Sequence, residues 1–131
     1  MAQTLVDTSA VYALLDRSDA NHRKAVTLLR LLTRRGLTPV LSNFIVAESH
    51  ALLLSRMGPK IALDWLTKQI WPIEPITVSD EKKAREIIER YEDKTFSYTD
   101  ATSFALMERL EIKDAFAFDA HFRQYGLRLL T

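Results

Sequence analysis

The stretch "TLVDTSAVYALLD", residues 4–16, places a charge at the point where a short apolar run ends. Leu5-Val6 predicts a buried strand, and Ser9–Leu15 predicts a helix directly after it. Asp7 lies between the two, where a carboxylate either caps the helix or belongs to a functional site. Which interpretation applies depends on the rest of the chain.

The composition predicts one globular domain. The chain has 131 residues, of which 47% are hydrophobic and 27% charged, a mixture typical of soluble proteins. It contains no cysteine, which excludes disulfides, thiolate metal sites and cysteine nucleophiles. No apolar stretch approaches the roughly 20 residues that span a bilayer, and the N-terminus lacks the pattern of a signal peptide. We therefore expect a cytoplasmic protein without membrane association, in which residues 1–131 form a single domain.

Predicted strands and helices alternate along the whole chain. The predicted strands are Leu5-Val6, "TPVLS" (38–42), "IEPITVS" (73–79), "AFAF" (115–118) and "LRLL" (127–130). The predicted helices are Ser9–Leu15, His22–Arg35, "NFIVAESHALLLSRM" (43–57), one beginning at Pro59, one from Ser79 or Asp80 to about Tyr91, one from Ser97 to about Leu110, and a turn from His121 to Tyr125. This alternation predicts an α/β fold, a three-layer α/β/α sandwich with a central, mostly parallel sheet of four to five strands. The strand "AFAF" agrees, because a strand that is apolar on both faces must be covered on both.

Two aspartates follow predicted strands. Asp7 follows the first strand and Asp119 follows "AFAF". Ligands of open parallel sheets bind beyond the carboxyl ends of the strands, so two neighbouring parallel strands would bring these carboxylates to the same edge. Asp114 precedes "AFAF" and, at ~3.3 Å per residue, lies roughly 15 Å away at the opposite edge. We therefore exclude Asp114 from the predicted site.

Glu48 lies on the apolar side of its predicted helix. Its neighbours one turn away are Phe44, Ile45, Ala51 and Leu52. An isolated buried carboxylate is costly, and proteins resolve that cost by pairing, protonation or metal coordination. Glu48 therefore predicts either a buried ion pair with a Lys or Arg, or a metal site.

Asp100 completes a set of four acids. The pattern Ser97-x-x-Asp100 is also a capping box, so by itself this carboxylate can simply balance a helix dipole. With Asp7, Glu48 and Asp119 it forms a group that four separate elements direct to one end of the sheet. Such a group repels itself unless cations neutralise it, and oxygen ligands without Cys or paired His suit Mg²⁺ or Mn²⁺. These ions serve phosphodiester chemistry, in which they activate water and stabilise the leaving oxygen.

Four acidic motifs resemble those of the PIN-domain nucleases, and within them the VapC-type toxins of toxin–antitoxin pairs. The motifs are, in order, "LVDTSAVYALLD" (5–16), "SNFIVAES" (42–49), "SYTDATSFALM" (97–107) and "AFAFDAHF" (115–122). The resemblance runs essentially end to end, and four motifs in this order are specific where one alone would be weak.

The resemblance implies a catalytic, metal-binding cluster of Asp7, Glu48, Asp100 and Asp119. It implies a Mg²⁺- or Mn²⁺-dependent endoribonuclease that hydrolyses RNA and leaves 5′-phosphate and 3′-hydroxyl ends. It also implies a homodimer, and a small antitoxin protein whose tail covers the acidic groove.

Several polar residues stand beside these acids in the sequence. The hydroxyls of Thr8, Ser9 and Thr99 either orient a ligand or water, or cap the helices that begin there. His121 either contacts substrate or packs and forms hydrogen bonds, and we favour the second interpretation.

Three other functions compete with a nuclease. A haloacid-dehalogenase-type phosphatase needs a second aspartate two residues after the first, where this chain has Ser9. A phosphoacceptor receiver module needs an acidic pair at the end of the first strand and leaves Glu48 unexplained. A PIN-like module that binds RNA or protein without cutting stays open. We expect the enzyme, because all four carboxylates are present.

Overall fold

The structure, a computed structural model, describes residues 2–131 and contains five strands and seven helices in that range. The strands are β1 (Gln3–Val6), β2 (Thr38–Ser42), β3 (Ile73–Glu74), β4 (Asp114–Phe116) and β5 (Arg128–Leu129). The helices are α1 (Thr8–Leu15), α2 (His22–Arg34), α3 (Asn43–Met57), α4 (Pro59–Lys68), α5 (Val78–Arg90), α6 (Tyr98–Leu110) and α7 (His121–Tyr125). Within the described residues, every helix is too short or too polar to cross a membrane.

The five strands form one parallel sheet in the order β3-β2-β1-β4-β5. Strand β1 is central, where Leu5 pairs with Val40 of β2 on one side and with Ala115 of β4 on the other. The chain leaves β1 toward β2 and later returns to its other side as β4, so a topological switch point lies between β1 and β4. The predicted α/β fold is confirmed, with a sheet that is parallel throughout.

Helices cover both faces of the sheet. Right-handed crossovers place α1 to α4 on one face and α5 to α7 on the other. The packing agrees, since α1 contacts α2 and α3, α3 contacts α4, and α6 contacts α5 and α7. Leu5, Val6 and Phe116 are fully buried between these layers. Burying a side chain of this size contributes about 1.5–3 kcal/mol, which is why the central strands are apolar on both faces.

The segment predicted as the strand "IEPITVS" forms two different structures. Strand β3 ends at Glu74, because Pro75 has no N–H to continue the ladder. The N-cap of α5 is Thr77, where the prediction had Ser79 or Asp80. The Thr77 side chain accepts the Asp80 N–H at 3.1 Å, and the Asp80 carboxylate accepts the Thr77 N–H at 3.0 Å, which makes a capping box.

Strand β4 begins one residue before the predicted strand "AFAF" and ends two residues before the end of that prediction. Asp114 is therefore its first residue, where it accepts a hydrogen bond from Arg128 at the amino edge of the sheet. Phe118 and Asp119 follow β4 in a loop at the opposite, carboxyl edge. The exclusion of Asp114 from the site agrees with this placement.

Asp80 joins α5 to α6 through a buried ion pair. Its side chain is 3% exposed and accepts two hydrogen bonds from Arg109, from Nε to Oδ1 and from Nη2 to Oδ2, both 2.9 Å long. Burial acts to raise the pKa of Asp80, but the hydrogen bonds from Arg109 and Thr77 outweigh it and lower that pKa. The ion pair therefore stabilises the fold at neutral pH, and this stabilisation is lost as the pH falls below the ordinary range of an aspartate.

We expect Arg109→Met to lower the free energy of unfolding by about 2 kcal/mol at pH 7, because it leaves the buried Asp80 carboxylate with only the Thr77 N–H. Urea unfolding followed by circular dichroism measures this loss. Lys68→Met is the control, since its pair with Asp64 is exposed and 3.9 Å long and its removal should cost less than about 0.5 kcal/mol. An equal loss in both variants would contradict the assignment.

Candidate active site

Asp7 is a helix cap and a pocket carboxylate at once. As N-cap of α1 it accepts, on Oδ2, the Ser9 N–H at 3.1 Å and the Ser9 hydroxyl at 2.7 Å. Its own N–H donates to the Phe116 carbonyl at 2.9 Å, which continues the pairing of β1 with β4 beyond the strand end. The side chain is only 4% exposed. The sequence left capping and a functional site as alternatives; the cap is present, and the same carboxylate also lines a pocket.

Two hydroxyls next to Asp7 connect the surrounding elements. Ser9 Oγ donates to Asp7 and accepts the Phe118 N–H at 3.0 Å, so it joins the start of α1 to the loop after β4. Thr8 Oγ1 accepts a hydrogen bond of 3.2 Å from the Ser49 hydroxyl on α3. These contacts hold the ends of β1 and β4 and the middle of α3 around one space.

Asp100 also has two roles. It is the third residue of α6, where its Oδ2 accepts the Ser97 N–H and the Ser97 hydroxyl accepts the Asp100 N–H, both at 3.0 Å. The same Oδ2 lies 2.7 Å from Nδ1 of His121. The predicted capping box is therefore real, and it fixes the carboxylate so that it faces the loop after β4.

His121 completes the group. Its backbone N–H donates to Asp119 Oδ1 at 2.8 Å. Its ring nitrogen Nδ1 lies 3.1 Å from that same oxygen and 2.7 Å from Asp100 Oδ2. Candidate ligand atoms of Asp100, Asp119 and His121 all lie within 4.8 Å of one another. The ring packs edge-on against Phe96, and Nε2 is 3.3 Å from the Thr95 hydroxyl. The expected packing and hydrogen bonding of His121 occur, but the partners are two site carboxylates, which the sequence analysis missed.

These side chains line one pocket of about 420 Å³ at the switch point of the sheet. Its lining residues are Asp7, Thr8, Ser9, Glu48, Leu52, Thr95, Ser97, Asp100, Asp119 and His121. All four carboxylates of the sequence prediction are present, together with Thr8 and Ser9. Thr99 does not line the pocket, and its carbonyl instead accepts the Thr102 hydroxyl at 2.8 Å.

Two of the four pocket carboxylates, Asp7 and Glu48, have no basic partner among the described residues. Among residues 2–131, no Lys or Arg forms a salt bridge with Asp7 or Glu48, so the ion-pair alternative for Glu48 is not realised there. Burial raises the pKa of Asp7 to about 6; the hydrogen bonds from Ser9 oppose this rise, and the charges of Asp100 and Glu48 add to it. Several carboxylates with one imidazole suit a hard divalent cation, which would remove this repulsion.

We expect the Asp7 carboxylate to destabilise the metal-free protein as the pH rises. A pKa of about 6, against 3.8 before folding, means that the folded state holds this proton more tightly. Relative to Asp7→Asn, the wild type should lose up to about 3 kcal/mol of stability between pH 4 and pH 7, since asparagine caps a helix about equally well. Urea unfolding in EDTA at several pH values measures the difference.

Adding Mn²⁺ should then stabilise the wild type and leave Asp7→Asn nearly unchanged. A stability difference that does not vary with pH would contradict the unbalanced charge assigned to Asp7.

Comparison with known proteins agrees with this geometry. The family model described as PIN domain matches residues 4–127. Two proteins named 23S rRNA-specific endonuclease VapC20, from Mycobacterium tuberculosis strains CDC 1551 / Oshkosh and ATCC 25618 / H37Rv, are 33% identical over 124 residues, which is 92% of this chain and 92% of theirs. The crystal structure of M. tuberculosis VapC20, described as a sarcin–ricin loop cleaving toxin, has a TM-score of 0.85 at 31% identity and covers 95% of both chains.

Two more distant structures share the fold. FitAcB from Neisseria gonorrhoeae has a TM-score of 0.70 at 18% identity, covering 98% of this chain and 96% of its own. VapBC2 from Rickettsia felis, bound to a promoter DNA fragment, has a TM-score of 0.71 at 12% identity, covering 97% and 96%. The parallel sheet, the carboxylate pocket at its switch point and these matches lead to one conclusion: this chain belongs to the PIN-domain family.

Proposed function

We propose that this protein is a metal-dependent endoribonuclease, the VapC-type toxin of a toxin–antitoxin pair, in which residues 1–131 work as one domain. The observation that carries the proposal is the pocket where Asp7, Glu48, Asp100 and Asp119 meet from four separate elements. Membership of the PIN-domain family and the 33% identity to an endonuclease over nearly the whole chain support the reaction class.

The four carboxylates would hold Mg²⁺ or Mn²⁺. A divalent ion there supplies charge neutralisation and activation of water for attack on a phosphodiester. Ser9 keeps Asp7 in place through two hydrogen bonds, and Thr8 fixes the start of the same helix against α3. A ring nitrogen that faces two carboxylate oxygens is a donor, so His121 Nδ1 orients Asp100 and Asp119. The products would carry 5′-phosphate and 3′-hydroxyl ends.

The proposed substrate is 23S ribosomal RNA at its sarcin–ricin loop. The names of the relatives supply this target, and the resemblance to them extends over at least nine-tenths of both chains. A ribosomal target also implies action in the cytoplasm. The binding-only alternative is not favoured, because such a module has no use for four carboxylates in one pocket, one of them buried with a raised pKa.

We expect purified protein to cut RNA with Mn²⁺ or Mg²⁺ and not with EDTA. Asp7→Asn should lower the rate about 100-fold or more, since several kcal/mol of transition-state stabilisation depend on the ion that Asp7 would hold. The panel contains ribosomes, a synthetic sarcin–ricin hairpin, a scrambled hairpin and tRNA. Asp114→Asn is the matched control, because its carboxylate lies at the opposite edge of the sheet.

Cutting that survives Asp7→Asn, or that Asp114→Asn abolishes equally, would contradict the proposed site. Cutting of tRNA and the scrambled hairpin but not of ribosomes or the sarcin–ricin hairpin would keep the nuclease and overturn the target.

Two apolar surfaces suit the proposed partners. A cleft of about 420 Å³ between α1, α2, the end of α4 and the turn after it is lined by Val11, Leu14, Leu29, Trp65 and Trp71, among others. We assign it to an amphipathic helix of the antitoxin, which would bury its apolar face there. Leu63 and Leu66 are exposed on one side of α4, three residues apart, and we assign this second surface to the homodimer.

We expect the purified chain to be a dimer that Leu63→Glu converts to a monomer, because the substitution puts a charge into an apolar contact. Light scattering after size-exclusion chromatography measures the mass. Val78→Glu is the control, since Val78 is an exposed apolar residue at the start of α5, away from α4. A monomeric wild type, or a dimer that survives Leu63→Glu, would contradict this interface.

A further inference from the structure

A second pocket opens beside the carboxylate pocket. It has a volume of about 300 Å³ and shares Ser9, Leu52 and Asp119 with its neighbour. We call it the Arg56 pocket, after the basic residue on its wall. Because the two pockets share three residues, they adjoin one another.

Arg56 is exposed and held in place by an aromatic ring. It lies in the last turn of α3, and its guanidinium carbon is 5.0 Å from the centre of the Tyr12 ring on α1. The Tyr12 hydroxyl in turn donates to Asp16, which fixes the ring. In the described part of the chain, Arg56 forms no salt bridge with a carboxylate. Its charge is therefore oriented by Tyr12 and available to a ligand.

Charge explains why a cation is needed at this place. Without bound cations the carboxylate pocket repels a polyanion, and Arg56 is the one Lys or Arg among the described residues that line the two pockets. A guanidinium binds a phosphate through two parallel hydrogen bonds, and contacts of this kind set the register of a nucleic-acid strand. Asp19 lies in the same pocket and would repel a phosphate, which places the phosphate on the Arg56 side. Leu52 and Phe118 offer apolar surface between them for a sugar or base.

We propose that Arg56 is a positioning residue that binds an RNA backbone phosphate next to the one that is cut. The inference rests on the proposed ribonuclease function and adds to it the place where the strand leaves the carboxylate pocket. Arg56 then acts on substrate binding, and the chemical step is left to the carboxylates.

The test compares Arg56→Gln, Arg56→Lys and Lys113→Gln with the wild type. The RNA is the member of the panel above that the wild type cuts fastest, assayed with Mn²⁺ at several salt concentrations. Lys113 is exposed directly before β4, at the far edge of the sheet, so Lys113→Gln removes the same unit of charge away from the pocket. Thermal melts confirm that all variants are folded.

Arg56→Gln should raise KM about tenfold and change kcat less than about twofold, because a phosphate contact contributes to binding. The slope of log(kcat/KM) against log[salt] should become shallower by about 0.7, the value for one phosphate contact on a single strand. Arg56→Lys should keep the wild-type slope with a smaller rise in KM, since lysine keeps the charge and loses the paired hydrogen bonds. Lys113→Gln should match the wild type.

Three results would overturn the inference. The first is an Arg56→Gln variant that behaves like Lys113→Gln. The second is a loss of kcat/KM with an unchanged salt slope, which is what a purely structural link between α1 and α3 would give. In both cases wild-type cutting shows that the ribonuclease function stands. The third is a wild type that cuts no RNA of the panel, which refutes the proposed function and this inference with it.

Discussion

The end of β1 is the point on which the rest of the structure depends. There the Asp7 N–H extends the pairing with β4 through Phe116, while its carboxylate starts α1 by accepting two hydrogen bonds from Ser9. The same Ser9 hydroxyl accepts the Phe118 N–H and so fixes the loop after β4. Strand pairing, helix initiation and the position of the neighbouring acidic loop are thus coupled through a few atoms. A change at Asp7 or Ser9 therefore affects the fold and the site together.

Two capping boxes of the same type show how surroundings give a carboxylate its role. Asp80 and Asp100 are each the third residue of a helix, and each accepts the N–H of its N-cap residue. Arg109 neutralises Asp80, whose pKa is lowered, and the pair holds two helices together. Asp100 instead faces His121 and the other acids of the pocket. A carboxylate paired with an arginine stabilises the fold, whereas carboxylates that meet without a Lys or Arg partner are typical of a functional site.

Part of the structure was predictable because it depends on residues close in sequence. The apolar runs and helix patterns predicted the fold class. The acids next to them, including Asp100 of the Ser97-x-x-Asp100 capping box, were then predicted to lie at one edge of the sheet. The capping box of Thr77 and Asp80 is equally visible in the sequence, but the prediction placed Thr77 inside a strand. In the structure that strand ends at Glu74, before Pro75. His121 was underestimated because a single histidine next to an aromatic residue usually packs, and only its distance to Asp100 shows otherwise.

The sequence by itself determined the order of strands and helices, a mostly parallel sheet and the set of four acids expected at its carboxyl edge. Helix and strand patterns repeat every few residues, so they can be recognised directly in the sequence. Only the tertiary structure decided which charges have partners. Asp80 meets Arg109 across 29 positions, Asp100 meets His121 across 21, and Arg56 reaches the ring of Tyr12 from another helix. Electrostatic energy depends on distance and burial in space, and sequence separation does not measure either one.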